Sequence, residues 1–337
     1  MSSEREFSEL REGLELDVLN EQKEKLMEID PAFFDKKDVE KFFEMAKFEP
    51  NKSLRVNTLK ISPDKLVEKL RDKGWKVKQP YSENKEIISV EKKLMPGEIG
   101  KTKEHILGYY YVQEITSMMP MLALQPKEGE IILDLCAAPG SKTTQAAAMM
   151  ENKGSIIAND VSMARISILS ANLERCGVTN TIIPRHNGVE LCEKLSKMGF
   201  KFDKILVDAP CSGEGNIRCS PRTFLEWSEG LLKSLSRKQK KLLESAFGLL
   251  KKNGEMIYST CTYAPEENES VVQHLIDDYD AKILDIELPL RIRPGLTVWR
   301  KEKFSKDMKK AVRIYHHDND LEGFFLAKLR KIPSHKN

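Results

Sequence analysis

The chain has 337 residues, 40% hydrophobic and 32% charged, with a formal net charge of +3; that length predicts two domains, or one large domain with an appended module, around a sizeable core in a soluble protein. No apolar run approaches the roughly 20 residues of a membrane span, and the opening MSSEREFSEL is too polar and too mixed in charge for a signal peptide, so a cytoplasmic protein is expected. The charge balance neither demands nor excludes nucleic acid, and the six cysteines include no C-x-x-C pair, so they read as reduced thiols and no metal site is expected.

Residues 1–48, rich in Glu, Lys and Leu, predict two helices as an N-terminal segment. SLRVNTLK at 53–60 alternates like a strand. Ser62 and Pro63 then offer an N-cap and a first-turn proline for a helix over 64–73, which Gly74 can end. Strand-like pieces follow at 75–78 and 87–90, and Pro96 and Gly97 mark an exit. A small α+β domain is therefore expected over 49–105.

The remainder, 106–332, is expected to be a second domain, because its character from residue 131 is strand–helix alternation. IILDL (131–135), SIIAND (155–160), TIIP (181–184), KILVDAP (204–210) and EMIYST (255–260) read as strands. Helices are predicted after Lys142, over 161–176 with Gly177 as its end, over 228–252 before a turn at Asn253 and Gly254, and over 266–277; AKILDI (281–286) and GFFLAKL (323–329) close the pattern. Such repetition predicts an α/β fold, a mostly parallel Rossmann-like sheet with helices on both faces. Ligands bind these sheets beyond the carboxyl ends of the strands, at the switch point.

The informative residues do follow strands. After the first comes Asp134-Leu-Cys-Ala-Ala-Pro-Gly140-Ser-Lys142, small residues that admit a ligand to the backbone, with Gly140 free to take positive φ and the next helix aiming free N–H groups at the same spot. Asp160 ends the second strand and suits both ribose hydroxyls of an adenosine. A P-loop is excluded by Ser141 before the lysine and Cys136 where a glycine is needed; a dinucleotide loop is excluded by the absence of G-x-G-x-x-G. An adenosyl cofactor without pyrophosphate remains, and S-adenosylmethionine fits. Arg165, five residues beyond Asp160, is either a surface arginine or part of that site.

The fourth strand ends in Asp208-Ala-Pro-Cys211 and the fifth in Ser-Thr-Cys261. Neighbouring parallel strands would turn both thiols toward one pocket, whereas Cys136, Cys176, Cys192 and Cys219 read as structural thiols. A thiolate added to C6 of cytosine makes C5 an enamine carbon able to take a methyl group. A helix N-terminus or Lys142 is the candidate for activating that thiol, and Asp208 is placed to act as the acid near ring N3. Position and chemistry alone leave open which cysteine attacks.

DLCAAPGSKTTQ, DAPCSGEG and YSTCTYAPEENE, with GYYYVQEITSMMP (108–120) and DLEGFFLAKL (320–329), resemble the signature motifs of the Nop/Sun-type RNA cytosine-C5 methyltransferases, including archaeal and bacterial enzymes acting on tRNA or rRNA. The resemblance covers about residues 50–330. It implies that Cys261 is the nucleophile and that Cys211 assists proton removal and product release. It implies cofactor contacts from Cys136, Ala137, Ala138, Pro139, Gly140, Ser141, Lys142, Asp160, Asn187 and Asp208. Two positions depart from the family: Ser141 replaces a second glycine, and Asn187 stands where Asp is usual.

The resemblance also implies that 49–105 is an RNA-recognition-like domain, here without a convincing aromatic pattern, so backbone contacts are expected rather than base stacking. Residues 291–313 carry nine Arg or Lys, Arg293, Lys309, Lys310 and Arg313 among them, against two acids. They are candidate phosphate contacts, as is the run Arg237, Lys238, Lys240 and Lys241. The expected partner is RNA, with tRNA favoured and rRNA the alternative, and the expected state is a monomer. A DNA methyltransferase is disfavoured by Cys261 and by the lack of a large target-recognition region. A non-catalytic RNA-binding protein is disfavoured by the intact Asp160, Asp208, Cys211 and Cys261.

Overall fold

A computed structural model describes residue 28 and residues 34–91, 94–95, 97–220, 223 and 226–332. The first of the two helices expected within 1–48, and Pro96, lie outside these residues. The second helix is α1 (Lys36–Ala46), begun by a reciprocal cap in which Asp35 accepts from the Asp38 backbone N–H and Asp38 accepts from that of Asp35. Its buried face carries Val39, Phe42 and Ala46, of which Val39 and Phe42 join the core that holds Tyr263 and Tyr315 of the large domain.

The small domain runs β1 (Lys52–Val56), α2 (Pro63–Asp72), β2 (Val77–Lys78), β3 (Ile87–Val90), two one-turn helices within 98–106, and β4 (Tyr110–Val112). Its sheet is wholly antiparallel in the order β2-β3-β1-β4, a β-α-β-β-α-β arrangement of the kind RNA-recognition domains use. Leu54, Val56, Leu66, Leu70, Trp75 and Ile88 form its core. Pro63 opens α2, but the Ser62 side chain makes no capping bond. β4 carries the sheet past the boundary expected at 105, because Tyr110 and Tyr111 are buried against both domains rather than forming a linker.

The large domain begins with α3 (Ile115–Leu124), whose N-terminal backbone N–H groups at Thr116 and Ser117 donate to Glu114. It continues β5 (Ile131–Asp134), α4 (Ser141–Met149), β6 (Ser155–Ala158), α5 (Met163–Cys176), β7 (Thr181–Ile182), α6 (Gly188–Lys197), β8 (Phe202–Asp208), α7 (Glu229–Gly248), β9 (Leu250–Thr260) and α8 (Glu269–Asp278). After β10 (Ala281–Leu284) and β11 (Arg293–Pro294), β12 (Val298–Trp299) and β13 (Glu302–Lys303) make a separate hairpin; β14 (Val312–Ile314) and β15 (Phe324–Lys331) end the fold. The main sheet has the order β11-β14-β15-β9-β8-β5-β6-β7, with β10 on β15. β9, β8, β5, β6 and β7 are parallel, and β15 joins β9 antiparallel. The chain reverses direction at β5, so the carboxyl ends of β5 and β8 flank the switch point. Two hydrophobic layers, one containing Phe202, Phe247 and Phe325, the other Met118, Ile156 and Leu326, cover the sheet's faces.

Two expectations are corrected. The turn at Asn253 does not precede β9 but interrupts it: the strand already pairs at Leu250 with Phe202, and the register then jumps to Glu255 opposite Lys204, with Asn253 at φ 61°. The basic stretch 291–313 is not one solvent face. Arg313 is 1% exposed and forms a pair with the fully buried Glu269 at 2.5 Å, while Arg293 bridges Asp38 and Asp318 at 2.8 and 2.7 Å. β11 and β14 place these two side chains toward α1 and α8, so their charge is spent on internal ion pairs. Lys309 is exposed, and Lys310 lies 2.7 Å from Asp307.

Candidate active site

The loop 135–140 leaves β5 and feeds α4. Gly140 has φ 102°, and a Cβ there would come within 2.9 Å of Leu169 Cδ1 on α5; any other residue is opposed by conformation and by space. Ser141 opens α4 and needs no glycine. The loop is clamped from both sides. The Arg165 guanidinium, half exposed, donates to the Ala138 carbonyl and pairs with Asp160 at 3.0 Å. Asn159 donates to the carbonyls of Leu135 and His186.

A cavity of about 370 Å³ lies against this clamp, lined among others by Asp160, Arg165, Asn187, Lys238 and Lys241. Asp160 is 2% exposed, and one oxygen accepts from the Ser162 backbone N–H at 2.9 Å. Asn187 caps α6 through its side-chain oxygen, which accepts from Val189 N–H at 3.0 Å. Two lysines of the run 237–241 therefore sit beside the candidate cofactor residues.

A second cavity, about 340 Å³, opens on the other side of Cys136, which lines both. Its wall holds Asp134, Ser141, Lys142, Asp208 and Cys261. Lys142 Nζ pairs with Asp208 Oδ2 at 2.7 Å and donates to Ser117 Oγ at 2.8 Å; Ser259 donates to Asp208 Oδ1 at 2.7 Å. Both Asp208 oxygens are thus taken by protein donors, and the cation expected to activate a thiol faces a carboxylate instead.

The two strand-end thiols meet as expected: β8 and β9 run parallel with Asp208 opposite Ser259, and Cys211 Sγ lies 3.2 Å from Cys261 Sγ. Asn216 Nδ2 also donates to Cys261 Sγ at 3.2 Å. The hydrogen bond to Cys261, and then burial, push the Cys211 thiol well above its ordinary range, and either sulfur can donate in the pair. Burial likewise raises the Cys136 thiol. The loop carrying Cys211 is pinned where Ser212 N–H donates to the buried Glu267 at 3.1 Å, and Gln239 donates to the same carboxyl at 2.7 Å.

Sequence reasoning did not single out several of these residues. Asp134 lines the thiol cavity, with one oxygen accepting from Thr143 and the other buried without a partner; burial, aided by Asp208 and Asp160, raises it to about 7. An orphaned carboxyl beside a glycine cradle fits a cationic group such as the ammonium or sulfonium of S-adenosylmethionine, with Asp160 for the ribose. Arg55 on β1, 3% exposed, reaches the same loop: it donates to the Ser141 carbonyl at 2.6 Å, Gln113 Oε1 at 2.5 Å and Thr144 Oγ1 at 2.7 Å. Its strand alternates like any other, and nothing local marks its partners. Glu322 and Phe324 also line the thiol cavity; the one signal for them was their place in DLEGFF.

The chain is similar to known RNA methyltransferases. Residues 121–330 match the family described as 16S rRNA methyltransferase RsmB/F, and residues 24–115 match the N-terminal domain of 16S rRNA methyltransferase RsmF. Ribosomal RNA small subunit methyltransferase F of Vibrio cholerae is 41% identical over 286 residues, which are 84% of this chain and 58% of that protein; the chain thus spans little more than half the length of this relative. The tRNA (cytosine(49)-C(5))-methyltransferase of Pyrococcus abyssi is 40% identical over 279 residues, 83% of this chain and 88% of that one. Among solved structures, a methyltransferase homolog protein from Pyrococcus horikoshii has TM-score 0.78 and 35% identity, covering 90% of this chain and 93% of its own. NSun6 from the same organism, solved with SFG, has TM-score 0.77 and 26% identity, with 92% and 98% covered.

Proposed function

Because the chain belongs to the RsmB/F (Nop/Sun-type) RNA 5-methylcytosine methyltransferase family, we propose that it methylates C5 of a cytosine in RNA, by a covalent Cys261–C6 adduct that Cys211 helps to resolve. The observation that carries this reading is the 3.2 Å approach of Cys211 Sγ to Cys261 Sγ, the latter in the wall of the cavity that also holds Lys142 and Asp208.

S-adenosylmethionine supplies the electrophilic methyl group when bound, held by the loop Cys136–Lys142 with Asp134, Asp160 and Asn187. Such a cavity admits a base only from a loop or flipped out of a helix. The Cys261 thiolate then adds to C6, and Asn216 and Cys211 are the donors beside its sulfur. The Lys142–Asp208 pair gives the cavity a fixed polar wall. After methylation the C5 proton passes to a water molecule and the Cys261 sulfur leaves C6 as the thiolate, with Cys211, 3.2 Å from it, positioned to assist this release.

We place tRNA first among substrates, supported by the match along most of both lengths to the Pyrococcus tRNA enzyme. Ribosomal RNA is the second reading, supported by the match of residues 24–115 to the RsmF N-terminal domain. The small β-α-β-β-α-β sheet is the candidate RNA-facing module.

The test is transfer of a tritiated methyl group to total RNA or to DNA, with bisulfite sequencing of tRNA and 16S rRNA from a deletion strain to locate the base. RNA is expected to be labelled and DNA not. Cys261→Ala should lose methylation and form no conjugate, whereas Cys211→Ala should accumulate a protein–RNA conjugate that survives denaturing electrophoresis. If neither correctly folded variant traps RNA that the wild type methylates, the two-cysteine mechanism is refuted.

A further inference from the structure

Each cysteine of the pair is followed by a hydroxyl residue, and the two hydroxyls meet: Ser212 Oγ lies 2.7 Å from Thr262 Oγ1. Two consecutive residues just before α8 hold the segments on either side of that contact. Glu267 accepts from the Ser212 backbone N–H at 3.1 Å and from Gln239 Nε2 at 2.7 Å, and the same Gln239 nitrogen donates to the Pro210 carbonyl at 2.9 Å. The residues before and after Cys211 are thereby tied to one carboxyl. Asn268 accepts from the Thr260 hydroxyl at 2.6 Å and donates to the Thr262 carbonyl at 3.0 Å, so it brackets Cys261 in the same way. Tyr258 on β9 fixes this segment in turn, its hydroxyl donating to the Glu267 carbonyl at 2.6 Å.

Neither arrangement is what stability alone asks for. Asn268 is the N-cap of α8, where an asparagine oxygen ordinarily accepts from a backbone N–H of the first turn. Here its side chain makes no capping bond and serves the two neighbours of Cys261 instead. Glu267 is fully buried, and among the described residues its carboxyl has only neutral donors, the Ser212 N–H and the Gln239 amide. Burying a carboxyl without a cation is costly, and an apolar side chain of similar volume would fill the same space more stably. Neither side chain lines the thiol cavity or the cofactor cavity, so neither touches the base or the cofactor.

We propose that Glu267 and Asn268 are positioning residues that set the 3.2 Å approach of the two thiols, each acting through one cysteine. Asn268 aims Cys261 for attack on C6, and Glu267 holds Cys211 where it assists release. The proposal rests on the reading that the two cysteines act in that order on cytosine in RNA. Attack precedes methyl transfer and release follows it, so losing one contact or the other should show at different steps. A displacement of about 1 Å at a reacting group can slow a step about 100-fold, whereas side chains that only fill space would not each favour one step.

The test takes wild type, Cys211→Ala, Glu267→Ala, Glu267→Gln and Asn268→Ala through one turnover with tritiated S-adenosylmethionine and an RNA that the wild type methylates, followed by denaturing electrophoresis. Glu267→Ala should transfer the methyl group in that first turnover but accumulate the protein–RNA conjugate, with kcat lowered at least about tenfold. Asn268→Ala should transfer at least about tenfold more slowly and accumulate no conjugate. KM for RNA, and cofactor affinity by calorimetry, should stay within about threefold of wild type in both, a split that a general loss of packing would not give. Glu267→Gln can still accept from Ser212, and Gln239 Oε1, buried without a partner, can turn to meet the new amide; it should trap less conjugate than Glu267→Ala. Equal loss of first-turnover transfer in the two alanine variants overturns the assignment, as does a wild-type kcat in either. Should an alanine variant unfold by circular dichroism, Asn268→Asp decides, since it keeps the acceptor for Thr260 and loses the donor to Thr262: slowed transfer is expected, and a wild-type rate overturns the assignment. If Cys211→Ala traps no conjugate, the two-cysteine reading fails and the assignment with it. If Cys211→Ala traps one and Glu267→Ala does not, the assignment alone fails.

Discussion

Replacing Arg55 by Ala should uncouple the small domain from the cofactor loop. The side chain is buried, and burial lowers its pKa only to about 10, so it remains charged at neutral pH. Its guanidinium joins β1 to the Ser141 carbonyl that opens α4, to Thr144 one turn on, and to Gln113 at the domain junction. A hydrogen bond from a charged donor contributes about 1.5–3 kcal/mol. The three share one group and are not additive. Against this stands the gain from no longer burying a guanidinium, so a net loss of about 1–3 kcal/mol is expected, the range for leaving buried acceptors without their donor. Arg55→Lys should recover part of it, since an ammonium reaches fewer acceptors than the planar fork. Urea denaturation followed by circular dichroism measures the loss, and calorimetry should show weaker S-adenosylmethionine binding because the first turn of α4 is no longer held. A stability change below about 1 kcal/mol with unchanged cofactor affinity would refute the claim that Arg55 holds the loop.

Arg313→Ala leaves Glu269 buried without its partner and should cost about 3–5 kcal/mol, whereas the exposed Lys309→Ala should change stability by less than about 0.5 kcal/mol; equal effects in urea denaturation would contradict the internal pairing of Arg313. Asp160→Ala should raise the Kd for S-adenosylmethionine roughly 10- to 100-fold, since two hydroxyl contacts to a charged acceptor are lost, and an unchanged Kd in calorimetry would remove Asp160 from the site.

The sequence by itself determined the elements and the chemistry they carry. Alternation of apolar residues is a local property, so β5, β6, β8 and β15 stand where their hydrophobic runs are, and α5 ends at Gly177 because a left-handed residue stops a helix wherever it occurs. The motifs were legible for a related reason: a parallel sheet puts its ligands after its strands, so Gly140, Asp160, Asp208, Cys211 and Cys261 could be ranked by position before any contact was known. Short or irregular pieces were not legible. β4 has three residues and no measurable period, and the interruption of β9 depends on how β8 pairs with it.

The tertiary structure alone decided which charges face one another. In the sequence Arg293 and Arg313 are two of nine basic residues in a stretch, yet they are held inside by Asp38, Asp318 and Glu269. Lys142 meets Asp208 rather than a thiol, Arg55 reaches Ser141 across 86 positions, and Asn216 reaches Cys261 across 45. Packing also strips the Asp134 carboxyl of water and leaves one of its oxygens without a partner. Periodicity reports which side of an element is apolar. A hydrogen bond or ion pair between distant segments depends on angstrom-scale positions set by the whole core, and no local pattern encodes those.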